Sequence, residues 1–274
     1  MLARRPAGPR GRAMSAALRL VVMLALSPGA VHADAPVASV PDPVAAPILN
    51  GTPTGGHPEV AALGMRQQNG NLGTCSGTLI APTVVLTAAH CLVGAVVGGA
   101  VLFPNGDTET RLEIVAREFA VHPEYRGRPH ADIGLMFLST PVDGIAPAVL
   151  PSRPPRSRQG VIVGFGRDGL RPALVKRVGT VKLKKRCPRR ARPRIGLRRR
   201  ELSGSVCWKP KPGSADICPG DSGGPLFVDG EVVGVHSAGI TASPVGCPGL
   251  LSWSTDVSRF RDWIDAALAG EDAP

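Results

Sequence analysis

Aromatic residues are scarce in this sequence: they make up 4% of 274 residues, with one Tyr and three Trp. Burial must therefore come from Val, Leu, Ile and Ala, supplied over a length that suits one large domain or two small ones. No internal repeat is visible. The sequence has no C-x-x-C pair and no Cys/His cluster of ligand spacing, which argues against structural zinc. The longest early apolar run, Leu20–Leu26, is too short to span a bilayer. Apolar spacing near 3.6 appears only at the C-terminal end.

What is abundant is Gly, at 34, and Pro, at 28, and they divide the chain into short segments separated by turns. Arg4, Arg5, Arg10, Arg12 and Arg19 precede Leu20–Leu26, and Val31-His-Ala33 offers small residues for cleavage. Residues 1–33 therefore read as a secretory signal, and Met14 also opens a complete one. Residues 34–47, rich in Ala and Pro with no periodic face, read as a pro-segment or linker. Export gives the six cysteines meaning, because an even number in an oxidising compartment favours three disulfides. Six cysteines allow 15 pairings, and spacing alone does not choose among them.

The formal charge of +11 is unevenly spread. Beyond residue 47 the chain carries 27 basic against 19 acidic residues, or +8, and Lys176–Arg200 alone holds 13 Lys/Arg and no acid. The remainder is mildly acidic, with one very basic limb. Such a limb suits an acidic polysaccharide, nucleic acid or anionic lipid. With few aromatics interleaved, it offers no base-stacking platform, so no specific nucleic acid is expected.

From residue 48, runs such as V-A-A-L-G-M (60–65), S-G-T-L-I (76–80), T-V-V-L-T-A-A (83–89), I-G-L-M-F-L (133–138), G-V-I-V-G-F-G (160–166) and E-V-V-G-V-H-S (231–237) alternate with turns. This pattern predicts an all-β barrel or sandwich. Val257, Phe260, Ile264, Ala267 and Leu268, following Ser254-Thr-Asp256, predict a final helix over 256–269.

Three stretches carry the chemistry. D-I-C-P-G-D-S-G-G-P-L-F (216–227) surrounds Ser222 with glycines, reading either as a surface turn or as a nucleophile loop open to a carbonyl. Its G-x-S-x-G also matches the α/β-hydrolase elbow, whose acid and histidine follow the serine. Only His236 follows here, seven residues after Asp229, and no strand leads directly into Ser222. The order histidine, aspartate, serine is available upstream: His90 in L-T-A-A-H-C and Asp132 in H-A-D-I-G-L. His57 and His122 read as surface or turn residues.

With Ile48-Leu-Asn-Gly51 and Phe260-Arg-Asp-Trp-Ile264, these stretches resemble the trypsin/chymotrypsin-like serine proteases over nearly all of 48–274. The resemblance implies two packed six-stranded antiparallel β-barrels with a C-terminal α-helix, the barrels at about 48–146 and 156–255. It implies His90 as base, Asp132 as its orienting carboxylate, Ser222 as nucleophile, and the N–H groups of Gly220 and Ser222 as an oxyanion hole. Asp216 would form the base of a pocket for Arg or Lys, with Ser237 and Gly239 lining the substrate channel. Asp221 would pair with the α-amino group of Ile48 once the chain is cut after Pro47, and that pair is not expected in the uncut chain. Pairing would be Cys75–Cys91, Cys187–Cys207 and Cys218–Cys247. No metal or cofactor is implied. The partners are protein or peptide substrates, and a monomer is expected. The alternative is a polyanion-binding protein on a protease scaffold. Three departures stand out: Ser237-Ala238-Gly239 lacks the family's Trp, Ser252 and Ser254 replace a glycine and a tyrosine of the pocket wall, and the limb is unusually basic. Residues 198–200, three arginines, are open to self-cleavage. The Ala/Arg/Gly/Pro bias suggests a GC-rich bacterial genome.

Overall fold

The computed structural model describes residues 48–103, 110–127, 129–153, 155–168, 171–172, 174–188, 202–241, 247 and 249–270. The signal, the pro-segment and positions 189–200 of the limb lie outside the described residues.

After a short strand β1 (Thr52–Pro53), six strands close into an antiparallel barrel: β2 (Val60–Gln67), β3 (Leu72–Ala81), β4 (Val84–Thr87), β5 (Ala95–Leu102), β6 (Leu112–Val121) and β7 (Gly134–Leu138). Their order around the barrel is β2-β3-β4-β7-β6-β5. Leu63, Leu79, Leu86, Leu102, Leu135 and Leu138 fill it and are almost wholly buried. At roughly 1.5–3 kcal/mol for each large aliphatic side chain, this packing replaces the aromatic burial the sequence lacks.

The remaining strands are β8 (Gln159–Gly164), β9 (Arg167–Asp168), β10 (Arg171–Pro172), β11 (Arg177–Lys182), β12 (Ser205–Trp208), β13 (Pro225–Val228), β14 (Glu231–Thr241) and β15 (Gly249–Asp256). β9 and β10 form a small ladder of their own, and the others join β1 in a seven-stranded sheet ordered β1-β11-β8-β13-β14-β15-β12. This second half has seven strands because the segment after Ile48 pairs with β11 rather than entering the first barrel. The sheet rolls toward closure where Leu183 bridges Trp208 and Lys184 N–H donates to the Cys207 carbonyl at 2.8 Å.

Val163, Phe165, Phe227, Val232 and Val235 of the second half share a core with the first barrel, so V-A-A-L of β2 is buried on both faces and shows no alternation. The expected terminal helix is interrupted: a 3₁₀ turn (Val257–Arg259), capped by the Asp256 side chain, precedes α2 (Arg261–Ala269). Trp263 and Ile264 of α2 join the same core. His122 is no simple surface residue, since its ring packs edge-on against Phe260 and Trp263 at 4.8 and 5.0 Å. His57 stacks on Phe227 at 4.8 Å and faces Glu59.

The three disulfides are Cys75–Cys91, Cys187–Cys207 and Cys218–Cys247. Lys176, counted from sequence as the start of the basic limb, is buried: its Nζ donates to the His57 carbonyl at 2.6 Å, and burial pulls its pKa down to about 8. Arg177 is also partly buried, donating to the Gly51 carbonyl at 2.8 Å, and the exposed cations of the limb begin at Lys182 among the described residues.

Candidate active site

A one-turn helix, α1 (Ala89–Leu92), follows β4 and carries His90. It is too short to leave a periodic signature, but its small residues Ala88 and Ala89 are wholly buried, and Cys91 ties it to β3. Asp132 sits two residues before β7 and is wholly buried. His90 N–H donates to its Oδ1 at 2.9 Å, and His90 Nδ1 lies 2.8 Å from its Oδ2. Ser237 Oγ donates to the same Oδ2 at 2.6 Å, while Thr255 Oγ1 donates to the Asp132 carbonyl at 2.9 Å. An ionised carboxylate only accepts, so Nδ1 carries the proton and the Nε2 lone pair is left toward the groove.

Ser222 is half-buried at the edge of the same groove, a cavity of about 380 Å³ that His90 also lines. His90 Nε2 and the Ser222 carbonyl oxygen each lie 3.8 Å from Cys91 Sγ. No hydrogen bond closes Nε2 to the Ser222 hydroxyl among the described residues. Such bonds are often loose before substrate arrives.

The loop carrying Ser222 is held from the first barrel. Ser76 N–H donates to the Ser222 carbonyl at 2.8 Å, and Ser76 Oγ donates to the Gly220 carbonyl at 3.0 Å. Thr87 Oγ1 donates to the Ser76 carbonyl at 2.9 Å. Gly223 has φ 81° and sits so close to Thr87 Oγ1 and the Ser76 carbonyl that any Cβ would collide with them. That contact accounts for one of the glycines around Ser222. No bond from the N–H of Gly220 or of Ser222 to an acceptor is found among the described residues, and both residues line the groove.

Asp221 points away from the groove and is wholly buried. Its oxygens accept from Ile48 N at 2.9 Å, Cys218 N at 2.8 Å and Gly166 N at 2.9 Å. The pair with Ile48, expected only after cutting, is thus formed in the uncut chain, with a neutral peptide N–H as donor. Burial pushes the Asp221 carboxyl up to about 7, against those three donors.

Asp216 is 0% exposed, and among the described residues the groove is lined by Ile217 and Ser237–Gly239 rather than by Asp216 itself. Ser252 Oγ, Gly249 N, Ile217 N and Trp208 Nε1 donate to it at 2.6, 2.8, 2.9 and 3.0 Å. Burial raises its pKa, which these hydrogen bonds partly offset. Sequence reading missed Trp208 altogether. The available signal was a large indole next to Cys207 in a short strand, whose N–H needs a partner when buried. Ser237 and Gly239 both line the groove, and the Ser237 hydroxyl is given to Asp132. His236 is buried against Ser254 Oγ at 3.0 Å, and burial holds it neutral with a pKa near about 3. It takes no part in the groove.

A glycine-rich serine loop beside an imidazole–carboxylate pair, at a groove between a closed barrel and a rolled antiparallel sheet, is the architecture of a two-barrel serine peptidase fold. The family model described as Trypsin matches residues 49–264, and the chain belongs to that family. The thrombin-like enzyme acutobin of Deinagkistrodon acutus is 34% identical over 208 residues, covering 72% of this chain and 77% of that protein. Human serine protease 56 is 33% identical over 225 residues, covering 75% of this chain but 36% of its own length, so the chain spans about a third of that relative. Mouse neuropsin, a serine protease, superposes with a TM-score of 0.62 at 28% identity over 81% of this chain and 98% of its own. These relatives are animal proteins and lend the expected bacterial origin no support.

Proposed function

We propose that this chain is a secreted serine endopeptidase. His90 takes the Ser222 proton as Oγ attacks the scissile carbonyl, and the resulting imidazolium is stabilised by Asp132. Gly220 and Ser222 N–H groups receive the oxyanion, each such donor contributing roughly 3–4 kcal/mol to the transition state. The imidazolium then protonates the leaving amine, and water, activated by the same ring, hydrolyses the acyl-enzyme. The observation that carries this reading is the saturation of buried Asp132 by donors from His90 and Ser237, which fixes the imidazole tautomer. Export is supported by three disulfides and by the N-terminal signal reading. The test is covalent labelling: chain 48–274 with a free Ile48 amine is expected to react with a fluorophosphonate at Ser222. Absence of labelling in folded protein would refute the assignment.

A polyanion partner remains part of the reading because a specific surface favours it. Arg158, Lys182, Lys184, Lys185, Arg186, Lys209 and Lys211 are exposed around one hollow of about 410 Å³ with no lining carboxylate. Three of these cations come from outside the limb, so the fold gathers charge that sequence order had spread out. The chain is expected to bind immobilised heparin, and reversing Lys182, Lys184 and Lys185 to Glu to lower the salt needed for elution without changing fluorophosphonate labelling. Unchanged elution would remove this partner.

A further inference from the structure

Apart from the groove, the second half carries a hollow of about 540 Å³ where three strand ends meet. Lys182 at the end of β11 pairs with Gln159 at the start of β8, and Leu183 N–H donates to the Arg158 carbonyl at 2.7 Å. Leu183 also bridges Trp208 at the end of β12. The size lies within the roughly 300–1,000 Å³ of small-molecule sites. Its lining has two chemistries. Val181, Trp208 and Ala215 are 7%, 1% and 8% exposed, so the base is apolar and continuous with the core of the second half. The single polar atom of the Trp208 indole, Nε1, donates to Asp216 at 3.0 Å, and what the ring offers the hollow is carbon. Around this base stand four exposed cations, Arg158, Lys182, Lys209 and Lys211. The wall carrying Lys211 is fixed by its own bonds: Lys211 N–H donates to Ser214 Oγ at 2.8 Å, and Asn50 Nδ2 donates to the Ser214 carbonyl at 3.0 Å.

The same four cations border the neighbouring hollow read as a polyanion surface, but there Leu183 is the one apolar lining residue. A sulfated polysaccharide would satisfy the cations and leave the apolar base unused. An apolar group alone would cover the base and leave four like charges facing one another. A ligand carrying both parts uses both. We infer that the hollow is a binding site for a small amphiphilic anion: a short apolar chain or ring packs on Val181, Trp208 and Ala215, and a sulfate, sulfonate or phosphate head sits among Lys182, Lys209 and Lys211. This site depends on the fold of the second half and not on the peptidase or heparin readings.

The probe is hexyl sulfate, titrated calorimetrically into the chain, with ethyl sulfate, inorganic sulfate and 1-hexanol as comparisons. Each buried methylene is worth about fourfold, so hexyl sulfate is expected to fill one site at least about tenfold more tightly than ethyl sulfate. Inorganic sulfate and 1-hexanol are expected not to saturate at the same concentrations. Equal affinity for the two alkyl sulfates, or no saturation by hexyl sulfate, overturns the inference. Lys209→Gln/Lys211→Gln changes two exposed side chains and is expected to weaken hexyl sulfate at least about fivefold; unchanged binding puts the ligand elsewhere. In ¹⁵N-labelled protein the chain's three Trp give three indole signals, and that of Trp208 is expected to move while that of Trp263 on α2 stays. The reverse pattern also overturns the site. Lys184→Glu/Lys185→Glu separates the two hollows: it is expected to lower the salt needed for heparin elution and to leave hexyl sulfate affinity within about twofold at physiological salt. Parallel loss of both would merge them into one polyanion patch and end the inference, whereas loss of heparin retention alone removes only that partner. Phosphatidylglycerol vesicles that displace hexyl sulfate would make a lipid headgroup the source of the anion, and vesicles that do not would leave a free amphiphile in the same site.

Discussion

Replacing Ser222 with Ala in the cut chain is expected to lower kcat for peptide hydrolysis by roughly 10⁵–10⁶-fold, to the level left by binding and the oxyanion hole. The reason is that the proposed reaction runs through the Ser222 hydroxyl: of the other hydroxyl residues lining the groove, Thr74 and Ser237, Ser237 already donates to Asp132 at 2.6 Å. His90→Ala is expected to cost a similar factor, and the Ser222/His90 double variant to be little worse than either single one, because the two groups act as one unit. Initial rates with a titrated active-site concentration check this. A Ser222→Ala protein retaining more than about a hundredth of the activity would require another nucleophile and a different mechanism.

The second large effect joins the cut to pH. In the uncut chain Ile48 offers Asp221 only a neutral N–H, and burial, with some help from the charge of Asp216, pushes the Asp221 carboxyl from 3.8 up to about 7. The folded state then holds this proton more tightly than the unfolded chain. Stability falls as pH rises from the ordinary carboxylate range to about 7, and the loss, roughly 4 kcal/mol, is complete above it. Cutting after Pro47 puts an ammonium where the amide was, which favours the carboxylate and removes that loss. The gain in Tm on cutting is therefore expected to be larger at pH 8 than at pH 5 by on the order of 5–10 °C. Asp221→Asn in the uncut chain should flatten the dependence. Calorimetry of both forms at the two pH values decides the matter: an equal gain at each would show that Asp221 is not the group responsible.

The parts of the site that local sequence dictates were legible in it. His90, Asp132 and Ser222 lie in short, distinctive stretches, and the all-β pattern, the final helix and the cysteine pairing matched the resemblance. What escaped were contacts set by register between distant strands. Trp208 on β12 donates to Asp216 eight residues later; the sequence marks the indole as needing a partner without naming Asp216. The same holds for Lys176, counted with the basic limb, which its position just before β11 sets against His57 and Phe165. The one-turn α1 escaped because four residues cannot display a helical period. The Ile48–Asp221 pair is legible in the sequence, but its presence in the uncut chain is not, because a peptide N–H can donate where an ammonium is expected.

Ser76 belongs to the first barrel, yet its amide, hydroxyl and carbonyl reach Ser222, Gly220, Phe165 and Thr87. A single residue thus stitches two halves distant in chain order, so any opening along that seam is expected to release the Ser222 loop from the first barrel.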